Sequence, residues 1–204
     1  MKYYDVHTHR IPDDHCGIFQ SDVSYTSSPF SAGIHPWFAA DSELITIEPL
    51  LAHPNCKAIG EIGLDRLKGP SLEIQKAVLL LQLNLANQLN KPVIFHIVRA
   101  WNEFFAIYNS HKQTPWIIHG FNSPKQINKV LESEIYLSLG PVSIKNPHLR
   151  ILLCKIPLHR ILLETDDSGY DIASVYADFS EATGTPMERL CAQIEQNFIA
   201  IFGA

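Results

Sequence analysis

His7 and His9 stand one residue apart in Asp5-Val6-His7-Thr8-His9, and His96, His119 and Asp166 each follow a short apolar run. On an extended strand residues i and i+2 share a face, so the imidazoles of His7 and His9 point the same way and can clasp one divalent ion. Neutral imidazole is a common ligand for first-row metals, and carboxylates complete the charge. Glu61 offers such a carboxylate in the apolar setting of Gly60-Glu61-Ile62-Gly63-Leu64-Asp65, where an ionised group is costly unless paired. Asp166, closing Leu163-Glu164-Thr165-Asp166, can take a proton from an activated water. Each residue alone also has an ordinary role: structural histidines, Glu61 paired with an Arg or Lys, Asp166 capping a helix, Asp65 capping or holding a ligand from behind. Their recurrence at the exits of successive apolar runs favours metal chemistry.

Such a set needs parallel strands that end at one rim. Candidate strands are Tyr3 to His7, Phe30 to Ile34, Lys57 to Ile62, Pro92 to Ile97, Trp116 to His119, Ile135 to Leu139 and Arg160 to Glu164. Several are continuously apolar, as strands covered on both faces are. Between them, Ile74, Val78, Leu81, Leu85 and Leu89 recur at helical spacing in a helix over Leu72 to Leu89, which Asn90 and Pro92 stop. Ser123-Pro124-Lys125-Gln126 and Thr185-Pro186-Met187-Glu188 read as helix starts with a hydroxyl N-cap and proline at the first helical position. The last helix then buries Leu190, Ile194, Phe198 and Ile201. With no linker, sequence repeat or low-complexity stretch, the expectation for residues 1–204 is one α/β domain, a TIM-like β/α barrel. Its length is short for that fold, which typically takes about 250 residues.

A hydrophobic fraction of 46% suffices for a sizeable core, and a net charge of −5 excludes a global basic field that would attract nucleic acid. An anionic substrate would have to be held locally. Cys16, Cys56, Cys154 and Cys191 form no C-x-x-C pair and read as reduced thiols of a cytoplasmic protein. The first strand candidate comes almost at once, so no targeting segment is expected, and the Leu72 to Leu89 helix carries too many polar residues to span a membrane.

In order, Asp5-Val6-His7-Thr8-His9, Gly33-Ile34-His35-Pro36, Gly60-Glu61-Ile62-Gly63-Leu64-Asp65, Pro92-Val93-Ile94-Phe95-His96, His119-Gly120-Phe121 and Glu164-Thr165-Asp166 resemble the TatD-type metal-dependent deoxyribonucleases of the amidohydrolase-like barrel superfamily. The resemblance covers most of the chain. It implies a binuclear centre of two divalent ions (Zn, Mn, Mg, Co or Ni), one held by His7, His9, Glu61 and Asp166, the other by Glu61, His96 and His119, with Glu61 shared. It implies hydrolysis of a phosphodiester, foremost DNA, with Asp166 taking the proton of the attacking water and Glu61 in the catalytic set. Arg99 is the expected phosphate contact, ahead of Arg10, Arg66 and Lys125. No membrane and no obligate protein partner are implied.

Two stretches depart from the family pattern. Only Arg10 to Ser31 separates the H-x-H strand from Gly33-Ile34-His35-Pro36, and it reads as loop with at most a short strand near Ile18 to Tyr25. The barrel is therefore expected to be trimmed or distorted between its first and third strands. Asp167-Ser168-Gly169 also replaces the proline usual after E-T-D. Two other functions fit the same ligands: a binuclear hydrolase of another ester, amide or phosphomonoester, and a non-catalytic metal-binding paralogue.

Overall fold

The computed structural model describes residues 1–10, 16–20, 27–40 and 44–203. Along the chain the strands are β1 (Tyr4–Thr8), β2 (Cys16–Gln20), β3 (Phe30–Ala32), β4 (Cys56–Asp65), β5 (Val93–Val98), β6 (Trp116–Ile118), β7 (Tyr136–Leu139) and β8 (Ile161–Leu163). The helices are α1 (Leu44–Leu51), α2 (Leu72–Leu89), α3 (Trp101–His111), α4 (Ile127–Leu131), α5 (Pro141–Lys145), α6 (Pro147–Arg150), α7 (Ile172–Thr183) and α8 (Met187–Phe202). Two compact units result: Met1–Phe19 with His119–Ala204, and Gln20–Ile118.

In the first unit, parallel pairing runs β7 to β8 and β1 to β2. The link between β8 and β1 is made past the end of β8, where Asp166 N donates to His7 O (2.9 Å) and His9 N donates to Asp166 O (3.3 Å). Alternate residues in a parallel ladder face the same side. That bridge therefore sets Asp166 in register with the H-x-H pair. Helix α8 covers β1 and β8 with Leu190, Ile194, Phe198 and Ile201, the apolar stripe expected from the sequence. The Tyr176 hydroxyl both accepts from Tyr4 N and donates to Tyr4 O (3.1 Å each), which anchors α7 to the start of β1.

In the second unit, β3, β4, β5 and β6 pair in parallel in chain order, with α1, α2 and α3 as the crossovers. Ile59, Ile62, Val93, Ile94 and Phe95 are wholly buried, which explains the continuously apolar runs. Phe95, Phe104 and Trp116 pack edge-on and tilted, with ring centroids 4.5 to 5.7 Å apart.

Helix α2 has the expected bounds but buries another face: Gln75, Leu79, Gln82, Leu83 and Ala86 point inward, while Ile74, Leu81 and Leu89 are 42%, 51% and 43% exposed. Helix α8 starts one residue later than expected, with Pro186 rather than Thr185 at the N-cap, and Ser123 precedes a 3₁₀ turn without a side-chain cap. The shortened stretch after β1 delivers a strand, β2, that begins two residues before Ile18 and pairs with β1. Residues 21–25 of the strand expected near Ile18 to Tyr25 lie outside the described residues. Cys56, Cys154 and Cys191 are free thiols, and no helix among the described residues is long and apolar enough to cross a membrane.

Candidate functional site

The exits of β1, β6 and β8 bring His7, His9, His119 and Asp166 together in the first unit. His7 Nε2 and His9 Nε2 lie 3.5 and 3.4 Å from Asp166 Oδ1. The His7 ring sits 5.1 Å from that of His9 and 4.5 Å from that of His119. Asp5, wholly buried, locks the arrangement: its carboxylate accepts from Thr165 N (3.0 Å) and Thr165 Oγ1 (2.6 Å), fixing the residue before Asp166 against β1. Asp166 has a left-handed backbone (φ 54°) and caps no helix, since Asp171 caps α7. Burial alone would raise the Asp166 carboxyl. Hydrogen bonds from His7 and His9, and the charges of His119 and His7, outweigh it and hold the group well below the ordinary carboxylate range.

Glu164 joins this group without having been singled out from the sequence. It is wholly buried, accepts from Gly120 N through Oε1 (2.6 Å) and stands 3.7 Å from His119 Nδ1. Its Oε2 has no hydrogen-bond partner among the described residues. A buried carboxylate oxygen left so is costly, and its presence beside the His119 imidazole and the Asp166 carboxylate fits a bound cation. His7, His9 and Asp166 can each offer one ligand atom within 4.8 Å of the others, as can His119, Glu164 and Asp166. The signal was there: on an extended segment Glu164 and Asp166 share a face, as His7 and His9 do.

In the second unit, Glu61 on β4 meets His96 on β5. Glu61 Oε1 is 2.8 Å from His96 Nδ1 and 3.3 Å from His35 Nε2. His96 Nε2 in turn lies 3.2 Å from Asp65 Oδ2. With Asp65 accepting from the Nε2 N–H, the lone pair of His96 is on Nδ1 beside Glu61, the arrangement in which an outer carboxylate orients a histidine that could bind a metal. His35, Glu61 and His96 satisfy the distances of a ligand group, but the hydrogen bonds at His35 argue for another role. Trp37 N donates to His35 Nδ1 (3.2 Å), so the neutral ring carries its proton on Nε2, facing Glu61. His35 therefore acts on Glu61 as a donor rather than binding metal itself.

This pair rests on a dense polar frame. Asp65 Oδ1 accepts from Leu67 N (2.7 Å) and Lys68 N (3.2 Å), and Oδ2 accepts from the Trp37 indole (2.6 Å). Burial alone would raise the Asp65 carboxyl, but the Trp37 indole, Leu67 N–H and His96 outweigh it and keep it below the usual range. Gln75 accepts from Asp65 N (2.7 Å) and donates to the carbonyls of Asp65, Lys68 and Pro70 (2.9, 3.0 and 2.8 Å). Gln82 accepts from Ile34 N (2.6 Å) and donates to Ile34 O (3.1 Å), fixing the residue before His35. At Gly63 (φ 152°) an added Cβ would fall 1.9 Å from His96 O, so only glycine lets β4 pass so close to the ligand-bearing turn of β5.

Of the candidate phosphate contacts, Arg99 is exposed just after β5 with a left-handed backbone (φ 53°). Arg66 is committed elsewhere: its Nε donates to Arg99 O (3.0 Å) and its Nη2 pairs with Glu103 (2.5 Å). It holds the Arg99 main chain in place.

A family model described as TatD related DNase matches residues 21–203. The uncharacterized metal-dependent hydrolase YabD of Bacillus subtilis is 35% identical over 144 residues, which cover 66% of this chain and 56% of that protein. The 3'-5' ssDNA/RNA exonuclease TatD of Edwardsiella piscicida is 33% identical over 151 residues, 67% of this chain and 56% of that one. The chain thus spans about half the length of the curated relatives it matches. The crystal structure of YJJV, a TatD homolog from Escherichia coli, superposes with a TM-score of 0.84 over 99% of this chain and 98% of that one, at 23% identity. The fold is accordingly that of the TatD proteins, the α/β barrel class expected from the strand and helix pattern. On its ordered motifs and the extent of the family match, the chain belongs to the TatD related DNase family.

Proposed function

We propose that this protein is a metal-dependent phosphodiesterase acting on DNA and binding two divalent ions, with His7, His9, His119, Asp166, Glu61 and His96 as the candidate ligands. The observation that carries this reading is the convergence of His7, His9 and Asp166 within 4.8 Å, beside a buried carboxylate with an unsatisfied oxygen. The single-stranded nucleic acid substrate named for the Edwardsiella relative supports the substrate class. Divalent ions bound there supply a lowered water pKa and neutralise charge on the phosphoryl oxygens. Asp166, ionised and half-buried, accepts the proton of the attacking water. Glu61, steadied by His35 and His96, presents its carboxylate as a ligand, and Asp65 keeps His96 in the tautomer that can bind. Arg99 offers a planar fork to a non-bridging phosphate oxygen. The free thiols, two of them buried, fit a reducing and hence cytoplasmic setting.

Elemental analysis after separate supplementation with Zn, Mn, Mg, Co or Ni should find about two ions per chain, with loss on Glu61→Gln. The loaded protein should shorten single-stranded DNA. Absence of ions at these residues would overturn the metal reading. Cleavage of another ester or amide but not DNA would overturn the substrate.

A further inference from the structure

The rim beside Glu61 and His96 holds two large apolar side chains out in water on segments that are otherwise fixed. Phe38 is 57% exposed and Leu67 60% exposed. Phe38 ends the 3₁₀ turn Pro36–Phe38, whose start His35 caps, and its N–H donates to His35 O (3.0 Å). The main chain of Leu67 and the residues after it is held by Asp65 and Gln75. The two segments abut at Gly69 (φ 82°), where an added Cβ would fall 2.7 Å from Pro36 O and 2.8 Å from Trp37 Cα. Neither exposed side chain gains the burial that stabilises a fold, yet the backbone beneath both is rigid. Single exposed apolar residues are ordinary. These stand beside a ligand group: the Phe38 ring lies 6.1 Å from that of His35, which faces Glu61, and the Trp37 ring lies 5.7 Å from that of His96. Positive charge accompanies them, with Lys68 Nζ over the Trp37 ring at 4.1 Å and exposed Arg99 following β5.

The geometry points to a base-stacking subsite: Phe38 stacks an unpaired nucleobase of a single strand whose phosphodiester lies at the Glu61 and His96 ligand group, with Lys68 beside the adjoining backbone. The ligand class rests on the phosphodiesterase reading above. Every base offers a π-face, so such a platform selects unpaired strands over duplex without reading sequence. Its rigidity means that little ordering entropy is lost on binding.

The test uses the full chain loaded with metal and a short phosphorothioate single strand carrying 2-aminopurine, which reports stacking by quenching and is not consumed. Phe38→Ala should weaken binding about tenfold and abolish the quenching, while Phe38→Trp should retain both. An abasic strand should bind wild type and Phe38→Ala alike. Equal binding of the 2-aminopurine strand by wild type and Phe38→Ala, no binding by wild type, or an equal loss with normal and abasic strands in Phe38→Ala would each overturn the proposal. Hydrolysis of methyl p-nitrophenyl phosphate, which has no base, should be unchanged in Phe38→Ala. Phe38-dependent quenching with no phosphodiester hydrolysed by wild type would leave the stacking subsite standing and remove the nuclease reading.

Discussion

Asp65→Asn changes one oxygen to an amide in the group that accepts from Leu67 N, Lys68 N, the Trp37 indole and His96 Nε2. If the remaining oxygen keeps Leu67 and Lys68, the new NH₂ faces the Trp37 and His96 N–H groups, donor against donor. His96 can escape by moving its proton to Nδ1, but the indole cannot. One buried donor left without an acceptor costs about 1–3 kcal/mol. For a chain of this size that lowers Tm by roughly 3–10 °C. The escape of His96 has its own consequence, because a proton on Nδ1 occupies the atom beside Glu61 and metal affinity falls about 10–100-fold. Thermal unfolding of the metal-free protein reads the first effect, and titration against a chelator reads the second. The pH dependence has a definite sign. The folded-state carboxyl is lowered, so its contribution is complete above the unfolded value of about 3.9 and fades as pH falls through the folded one. The gap between wild type and Asp65→Asn should therefore be widest at neutral pH and close in acid. An unchanged Tm together with unchanged metal affinity would refute the role assigned to Asp65.

Gln82→Leu should remove the partners of both Ile34 N and Ile34 O, destabilising the fold by about 2–4 kcal/mol. Hydrogen exchange at the Ile34 amide should accelerate, and retained protection would show that the clamp on the His35 turn lies elsewhere. Tyr176→Phe should cost about 1–3 kcal/mol in urea unfolding, since Tyr4 N and Tyr4 O both lose their partner in a buried setting. A loss below a few tenths would mean that another group replaces the hydroxyl.

Much of this architecture was legible in the residues. Continuous apolar runs such as Val93-Ile94-Phe95, bounded by turn residues, read as strands covered on both faces, and they appear as β5 and its neighbours at nearly the expected bounds. His7, His9, His96, His119, Glu61 and Asp166 stand out because their types bind metal, and each lies in a group of side chains close enough together to hold an ion. The less legible parts lack a local pattern. β2 carries Gly17 and Gln20 among few apolar residues, so its position was only approximate. The contacts of Asp65 with the Trp37 indole and His96 join residues 28 and 31 positions apart, which no spacing rule records.

Helix α2 shows why these gaps cluster at the site. Ile74, Val78, Leu81, Leu85 and Leu89 recur at the spacing of an apolar helical stripe, the pattern of a core-facing side. The chain instead turns inward a stripe holding Gln75 and Gln82. Buried amides need all their partners, and both find them in the main chain of the segments that carry Asp65 and His35. Turning the other face inward would bury more apolar surface but leave the Ile34 and Asp65 main-chain groups without these partners. Local hydrophobic pattern thus yields to polar satisfaction where the helix supports ligand-bearing turns, as expected at a functional site. The same logic locates Glu164, whose Oε2 has no partner among the described residues, which is unfavourable for the fold alone and fits a cation at that place.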